Sequence, residues 1–161
     1  MSNADATPLT YRPRGLTYDQ LAVGQSFVTA ARTVTEADVV GFAGISGDFN
    51  PLHTDAVWAG ATVFQGRIAH GMLVASIATG LANQLGIFEG TTLALLEQQI
   101  VYRGPVRFGD TVRLELTVAE KVAHGKPDRG FVAFATTVRN QADAAVIEGQ
   151  WRLLMRLAPD Q

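Results

Sequence analysis

In the C-terminal half of the chain, apolar residues fall at every second position. Leu114, Leu116 and Val118 share one face, with Arg113, Glu115 and Thr117 on the other. That period of two is the mark of a half-buried strand. Phe131–Val138 and Val146–Met155 behave in the same way, and the turn-rich stretches AHGKPDRG (123–130) and NQADA (140–144) link the runs. With residues 91–102 this predicts four consecutive strands. Their links are too short for parallel crossovers, so they should form an antiparallel meander.

The N-terminal half has a different rhythm. Residues 26–34 are strand-like in composition. Thr35 then opens T-E-A-D, a capping-box-like start with Asp in place of the usual Glu or Gln. Val39, Val40, Phe42 and Ala43 follow at helical spacing, and Gly47 stops the helix. After the loop GDFNPLH, residues 54–60 predict one or two helical turns and 61–69 irregular chain. Gly71 to about Leu85 reads as a long apolar helix with Gly86 as its stop. A helix apolar on all sides must be covered on all sides. A curved sheet can cover most of it, and a second copy of the chain can supply the rest. The expected class is α+β, with an antiparallel sheet wrapped around a long central helix.

Charge sharpens the picture by exclusion. From Ile68 to Phe88 there are 21 consecutive residues without Asp, Glu, Lys or Arg. His70, Ser76, Thr79, Asn83, Gln84 and three glycines interrupt that run, so it reads as a buried helix and not a membrane span. The 161 residues have the length of one domain, and a net charge of −2 gives no footprint for nucleic acid. With no cysteine there is no disulfide, thiol nucleophile or cysteine-type zinc site. Residues 1–15 carry no hydrophobic period and read as a loosely held arm before one domain spanning 16–161. They also contain no apolar signal region, so cytoplasmic residence is expected.

Two places offer chemistry. In Gly47-Asp48-Phe49-Asn50-Pro51-Leu52-His53 a carboxylate and an imidazole lie five residues apart, and Pro51 fixes a turn that can bring them together. Such a pair can hold one water as an acid–base device. The same spacing suits a turn-forming Asp and a hydrogen-bonded filler His. At His70-Gly71-Met72 a helix N-terminus offers unpaired N–H groups and positive partial charge, so an oxyanion can sit on the Gly71 amide. Gly71 equally suits close helix–sheet packing, and His70 reads as an imidazole satisfied in the core or capping a turn. No carboxylate cluster or H-E-x-x-H points to a metal. Arg103, Arg107, Lys121, Lys126 and Arg129 are basic residues at sheet ends, suited to phosphate or simply to solvent.

FAGISGDFNPLHTDAVWA followed by GRIAHGMLVASIATGL resembles the hydratase-2 signature of the MaoC-like dehydratases. These are (R)-specific enoyl-CoA hydratases with a hotdog fold. The resemblance covers about residues 20–156, and its D-x-N-P-x-H core is far more specific than an isolated Asp and His. Y-R-G-P-V-R-F-G-D-T also looks like that family's strand-turn-strand segment. The resemblance implies that Asp48 and His53 hold and activate the water and that the Gly71 amide polarises the thioester carbonyl. It also implies that Asn50, Met72 and Thr79 support or contact the substrate. Water would add to C3 of a trans-2-enoyl-CoA with a proton delivered to C2, giving an (R)-3-hydroxyacyl-CoA. No metal or redox cofactor is then required, since CoA is part of the substrate. A homodimer, or an assembly of dimers, is the expected partner state. A hotdog thioesterase would commonly carry an Asp or Glu on the central helix or an adjacent strand, and Met72–Gly86 has none. A non-catalytic acyl-binding or dimerisation hotdog subunit is the other alternative.

Overall fold

The computed structural model describes residues 10–158. The first nine residues of the expected arm lie outside that range. Its described end is held down: the Tyr11 hydroxyl donates to Glu89 Oε1 at 2.7 Å, and the Gly15 N–H donates to the Glu89 carbonyl at 3.0 Å.

Short strands β1 (Ser26–Val28) and β2 (Arg32–Thr33) precede helix α1 (Glu36–Ser46), the short helices α2 (Pro51–Thr54) and α3 (Ala56–Gly60), and the long helix α4 (Gly71–Gln84). Four long strands follow: β3 (Thr92–Tyr102), β4 (Thr111–Ala123), β5 (Arg129–Arg139) and β6 (Ala145–Arg156). Thr35 caps α1 as its sequence promised. Its hydroxyl accepts the Asp38 N–H while the Asp38 carboxylate accepts the Thr35 N–H at 2.8 Å, and Gly47 ends the helix at φ 76°.

Two expectations about the strands are corrected. The strand expected over 26–34 is broken, because the Thr29 hydroxyl takes the Leu114 N–H at 3.0 Å where a ladder carbonyl would have done so. The four long strands do not form one meander. β4, β5 and β6 do, but the sheet order is β1-β4-β5-β6-β3, so β3 lies outside β6 instead of beside β4. The link 103–110 therefore crosses the end of the sheet. Its Arg103 N–H donates to Val146 at the start of β6, Val106 accepts from Ala69, and Gly109 donates to Val34 beyond β2. Those bonds leave it no geometry for a hairpin.

The resulting sheet curls over α4. Leu114, Leu116 and Val118 of β4, Val132 and Phe134 of β5, and Trp151, Leu153 and Met155 of β6 point inward. Phe134 sits opposite Val118 on one side and Trp151 on the other, and its ring meets Phe88 edge-on at 5.4 Å. Against them α4 buries Leu73, Val74, Ile77, Ala78, Leu81 and Ala82, the i, i+4 stripe of an amphipathic helix. The reading of α4 as apolar on all sides is thus corrected: Met72, Ser76, Gly80 and Asn83 form an exposed strip. Among the described residues, no helix is long and apolar enough to cross a membrane.

Candidate active site

Three segments converge on one cleft: the loop 46–53, the start of α4, and the crossing link after β3. Each is shaped locally. The Asp48 N–H rests on the Ser46 hydroxyl, and Asp48 Oδ1 accepts the Asn50 N–H at 3.2 Å. Asn50 Oδ1 caps α2 by accepting from Leu52, and Pro51 occupies the first helical turn, where its missing N–H costs nothing. This short helix turns His53 back toward Asp48.

The cleft has a volume of about 660 Å³. Phe42, Phe64, Val74 and Ile147 give it apolar walls, while Asp48, His53, His70 and Gly71 bring polar groups to one end. That composition suits a mostly apolar ligand fixed by a few polar contacts. His53 is 9% exposed, and its Nδ1 lies 2.8 Å from the Ile68 carbonyl. A carbonyl only accepts, so Nδ1 carries the hydrogen and Nε2 is left for the cleft. Asp48 is exposed at the opening. One donor atom each of Asp48, His53 and His70 lies within 4.8 Å of the others. These donor types could take a divalent ion, but a carboxylate and a free imidazole nitrogen this close can equally share one water.

Gly71 is the first residue of α4, where the backbone N–H has no partner inside the helix. The Tyr102 ring, at the end of β3, is packed directly against it. Burial holds the Tyr102 phenol above its ordinary pKa, so that wall of the cleft is neutral at physiological pH.

Of the residues singled out in the sequence, Asp48, His53, Gly71 and Met72 all line the cleft. Asn50 and Thr79 do not. The Asn50 side-chain oxygen is occupied in capping α2, and the Thr79 hydroxyl, two turns along α4 from Gly71, donates back to the Ser76 carbonyl at 2.7 Å. Of the five basic candidates only Arg103 reaches the cleft, paired at 2.7 Å with Glu148. His70, Tyr102 and the Gly104-Pro105-Val106 wall were not singled out as site residues. The motif Y-R-G-P-V was visible as a strand-turn-strand segment, but its approach to Gly71 depends on where β3 sits in the sheet.

Residues 19–140 match the MaoC like domain family. An (R)-specific enoyl-CoA hydratase from Rhodospirillum rubrum is 40% identical over 134 residues, covering 83% of this chain and 87% of that protein. Among solved structures, an (R)-hydratase from Pseudomonas aeruginosa superposes with a TM-score of 0.75 at 35% identity, covering 90% of this chain and 88% of that one. A Mycobacterium tuberculosis protein with a double hotdog fold superposes with a TM-score of 0.82 at 23% identity, covering 94% of this chain and 47% of that one. At that identity it speaks for the architecture alone.

Proposed function

The chain belongs to the MaoC-like family, and from that premise we propose that it hydrates trans-2-enoyl-CoA thioesters to (R)-3-hydroxyacyl-CoA, and reverses the reaction. The observation that carries this is the meeting of the Asp48 carboxylate and His53 at the polar end of an apolar cleft, beside the first amide of α4. The thioester oxygen sits on the Gly71 N–H, with the acyl chain along the apolar walls. With Nδ1 committed to Ile68, neutral His53 presents an acceptor at Nε2, and Asp48 presents another. A water between two acceptors gives each a hydrogen and turns an oxygen lone pair outward, toward C3.

Addition of that oxygen to C3 moves the π electrons toward C2 and the thioester oxygen, where enolate-like charge grows. The Gly71 amide stabilises that charge as it forms, which lowers the barrier more than it tightens ground-state binding. One member of the pair takes the proton that the water loses, and the pair returns a proton to C2. The site thus ends each turnover in its starting protonation state. No redox or prosthetic group takes part, and Arg103 at the rim suits a phosphate of the CoA moiety.

The functional unit in this reading is a homodimer in the cytoplasm. β3 is an edge strand of eleven residues with Leu93, Leu95, Leu96 and Val101 exposed. A long apolar edge of this kind is a template for a second strand.

Crotonyl-CoA and longer enoyl-CoAs test the reading directly. Loss of the enoyl absorbance with formation of the (R)-3-hydroxy product supports it. Release of free CoA without hydroxyacyl-CoA replaces it with a thioesterase, and binding without turnover replaces it with an acyl-binding subunit.

A further inference from the structure

His70 is used by none of these steps, yet it is 3% exposed at the edge of the cleft and has no counter-charge in contact. Its Nε2 lies 2.9 Å from the backbone carbonyl of Asp48. The carbonyl is an acceptor, so Nε2 carries the hydrogen. Its Nδ1 is buried without a hydrogen-bond partner. In its neutral form His70 is therefore the Nε2–H tautomer. The Ile68 carbonyl likewise makes neutral His53 the Nδ1–H tautomer.

The two rings lie 3.8 Å apart at 31°, and their anchors are crossed. His53, from the loop, grips the backbone at Ile68 just before α4. His70, from the start of α4, grips the backbone at Asp48 in the loop. Phe42 closes on the outer side of His70 at 5.1 Å. Each imidazole thus fixes the segment that carries the other's neighbour.

We propose that His70 is a positioning residue: through its Nε2–H bond to the Asp48 carbonyl and its stack on His53, it holds the carboxylate and imidazole at the separation one water can span. Its role is exerted through those two contacts. A shift of about 1 Å in such a pair is enough to lower turnover roughly 100-fold.

This role rests on the hydration reading for its kinetic arm only. His70→Leu removes the donor, and His70→Gln returns an N–H near the Nε2 position. His70→Leu is expected to lower kcat on crotonyl-CoA by about 10- to 100-fold with KM changed less than threefold, and His70→Gln to recover most of the loss. Equal losses in both variants, a loss confined to KM, or no loss in His70→Leu would overturn the role. The second arm needs no activity. Long-range nitrogen–proton NMR of the wild-type chain at neutral pH reads imidazole tautomers. It should show His53 protonated on Nδ1 and His70 on Nε2. Two like tautomers, or a charged His70, overturn the inference even if hydration is confirmed, whereas a wild type that does not hydrate enoyl-CoA leaves opposite tautomers intact and overturns only the function. Should His70→Leu fail to fold, the tautomer measurement and His70→Gln still decide it, since a Gln variant with kcat reduced 10-fold or more contradicts the proposal.

Discussion

The ring of Tyr102 occupies the space into which any side chain on residue 71 would project. A Cβ placed there would come 2.7 Å from Tyr102 Cζ and 3.0 Å from Cδ1, closer than such atoms approach in folded proteins. Glycine at the start of α4 is therefore demanded by packing, at a residue that also lines the cleft. The packing reading and the oxyanion reading of Gly71 are compatible.

Gly71→Ala should push the helix start or the Tyr102 ring aside and lower kcat/KM for enoyl-CoA by about 10²- to 10³-fold, the range for losing one oxyanion donor. In a Tyr102→Ala background the added methyl has room, so the further loss should be much smaller. A double-mutant cycle in steady-state kinetics measures the difference. Additive losses would place the Gly71 requirement elsewhere.

Asp48→Asn and His53→Ala should each reduce hydration by about 10²- to 10⁴-fold, the usual scale for a general acid–base group. Asp48 is exposed, so thermal unfolding of Asp48→Asn should match wild type. Turnover retained in either variant would remove that residue from the proposed pair.

Asp38 links the α1 cap to pH. Its carboxyl is held below the ordinary carboxylate pKa, first by the Thr35 N–H, then by the Thr35 hydroxyl, with Arg32 adding attraction. A pKa lower in the folded than in the unfolded chain contributes stability above the unfolded value of about 3.9. That contribution disappears as pH falls through the folded value. Asp38→Asn should therefore unfold below wild type at pH 7, with the gap closing toward pH 3. Melting curves across that range check the sign. Thr35→Ala, which removes the other half of the box, should cost about 1 kcal/mol.

Phe134 has no exposed surface and bridges Val118, Trp151 and Phe88. Phe134→Ala should cost about 3–5 kcal/mol in denaturant unfolding, from lost burial and the cavity left behind. A loss under 1 kcal/mol would mean that the sheet collapses onto α4 to fill the gap.

If β3 is the dimer edge, wild type sediments as a dimer and Leu95→Arg/Leu96→Arg as a monomer, since charge on an edge strand opposes pairing. A monomeric wild type in sedimentation velocity would end that assignment.

The helices and the strands β4 to β6 were legible because their signals are local. Thr35 and Asp38 are three residues apart, and Leu114, Leu116 and Val118 alternate without interruption. Around Asp48 and His53 the turn at Pro51 was local, but spacing alone equally suited a turn-forming Asp and a filler His, and only the D-x-N-P-x-H resemblance favoured a pair. Thr29 misled because its hydroxyl replaces a ladder bond with a strand 85 residues further on. The position of β3 depends on Gln98 facing Trp151, a pairing no local period encodes. Tyr102 and the crossing link escaped notice as cleft walls for that reason. His70 looked like a satisfied core imidazole, and one of its nitrogens is just that; the other, and the ring it stacks on, depend on the fold.

The crossing link also ties the cleft to the far end of the chain. β3 finds its only described strand neighbour in β6, the last strand of the chain. Arg103 bonds to Val146 at the start of β6, and Ile147 of the same strand is itself part of the cleft wall. A chain cut before residue 145 would keep Asp48, His53 and Gly71 and lose one wall of the space between them. Residues nearly a hundred positions apart in sequence thus share the upkeep of one cleft.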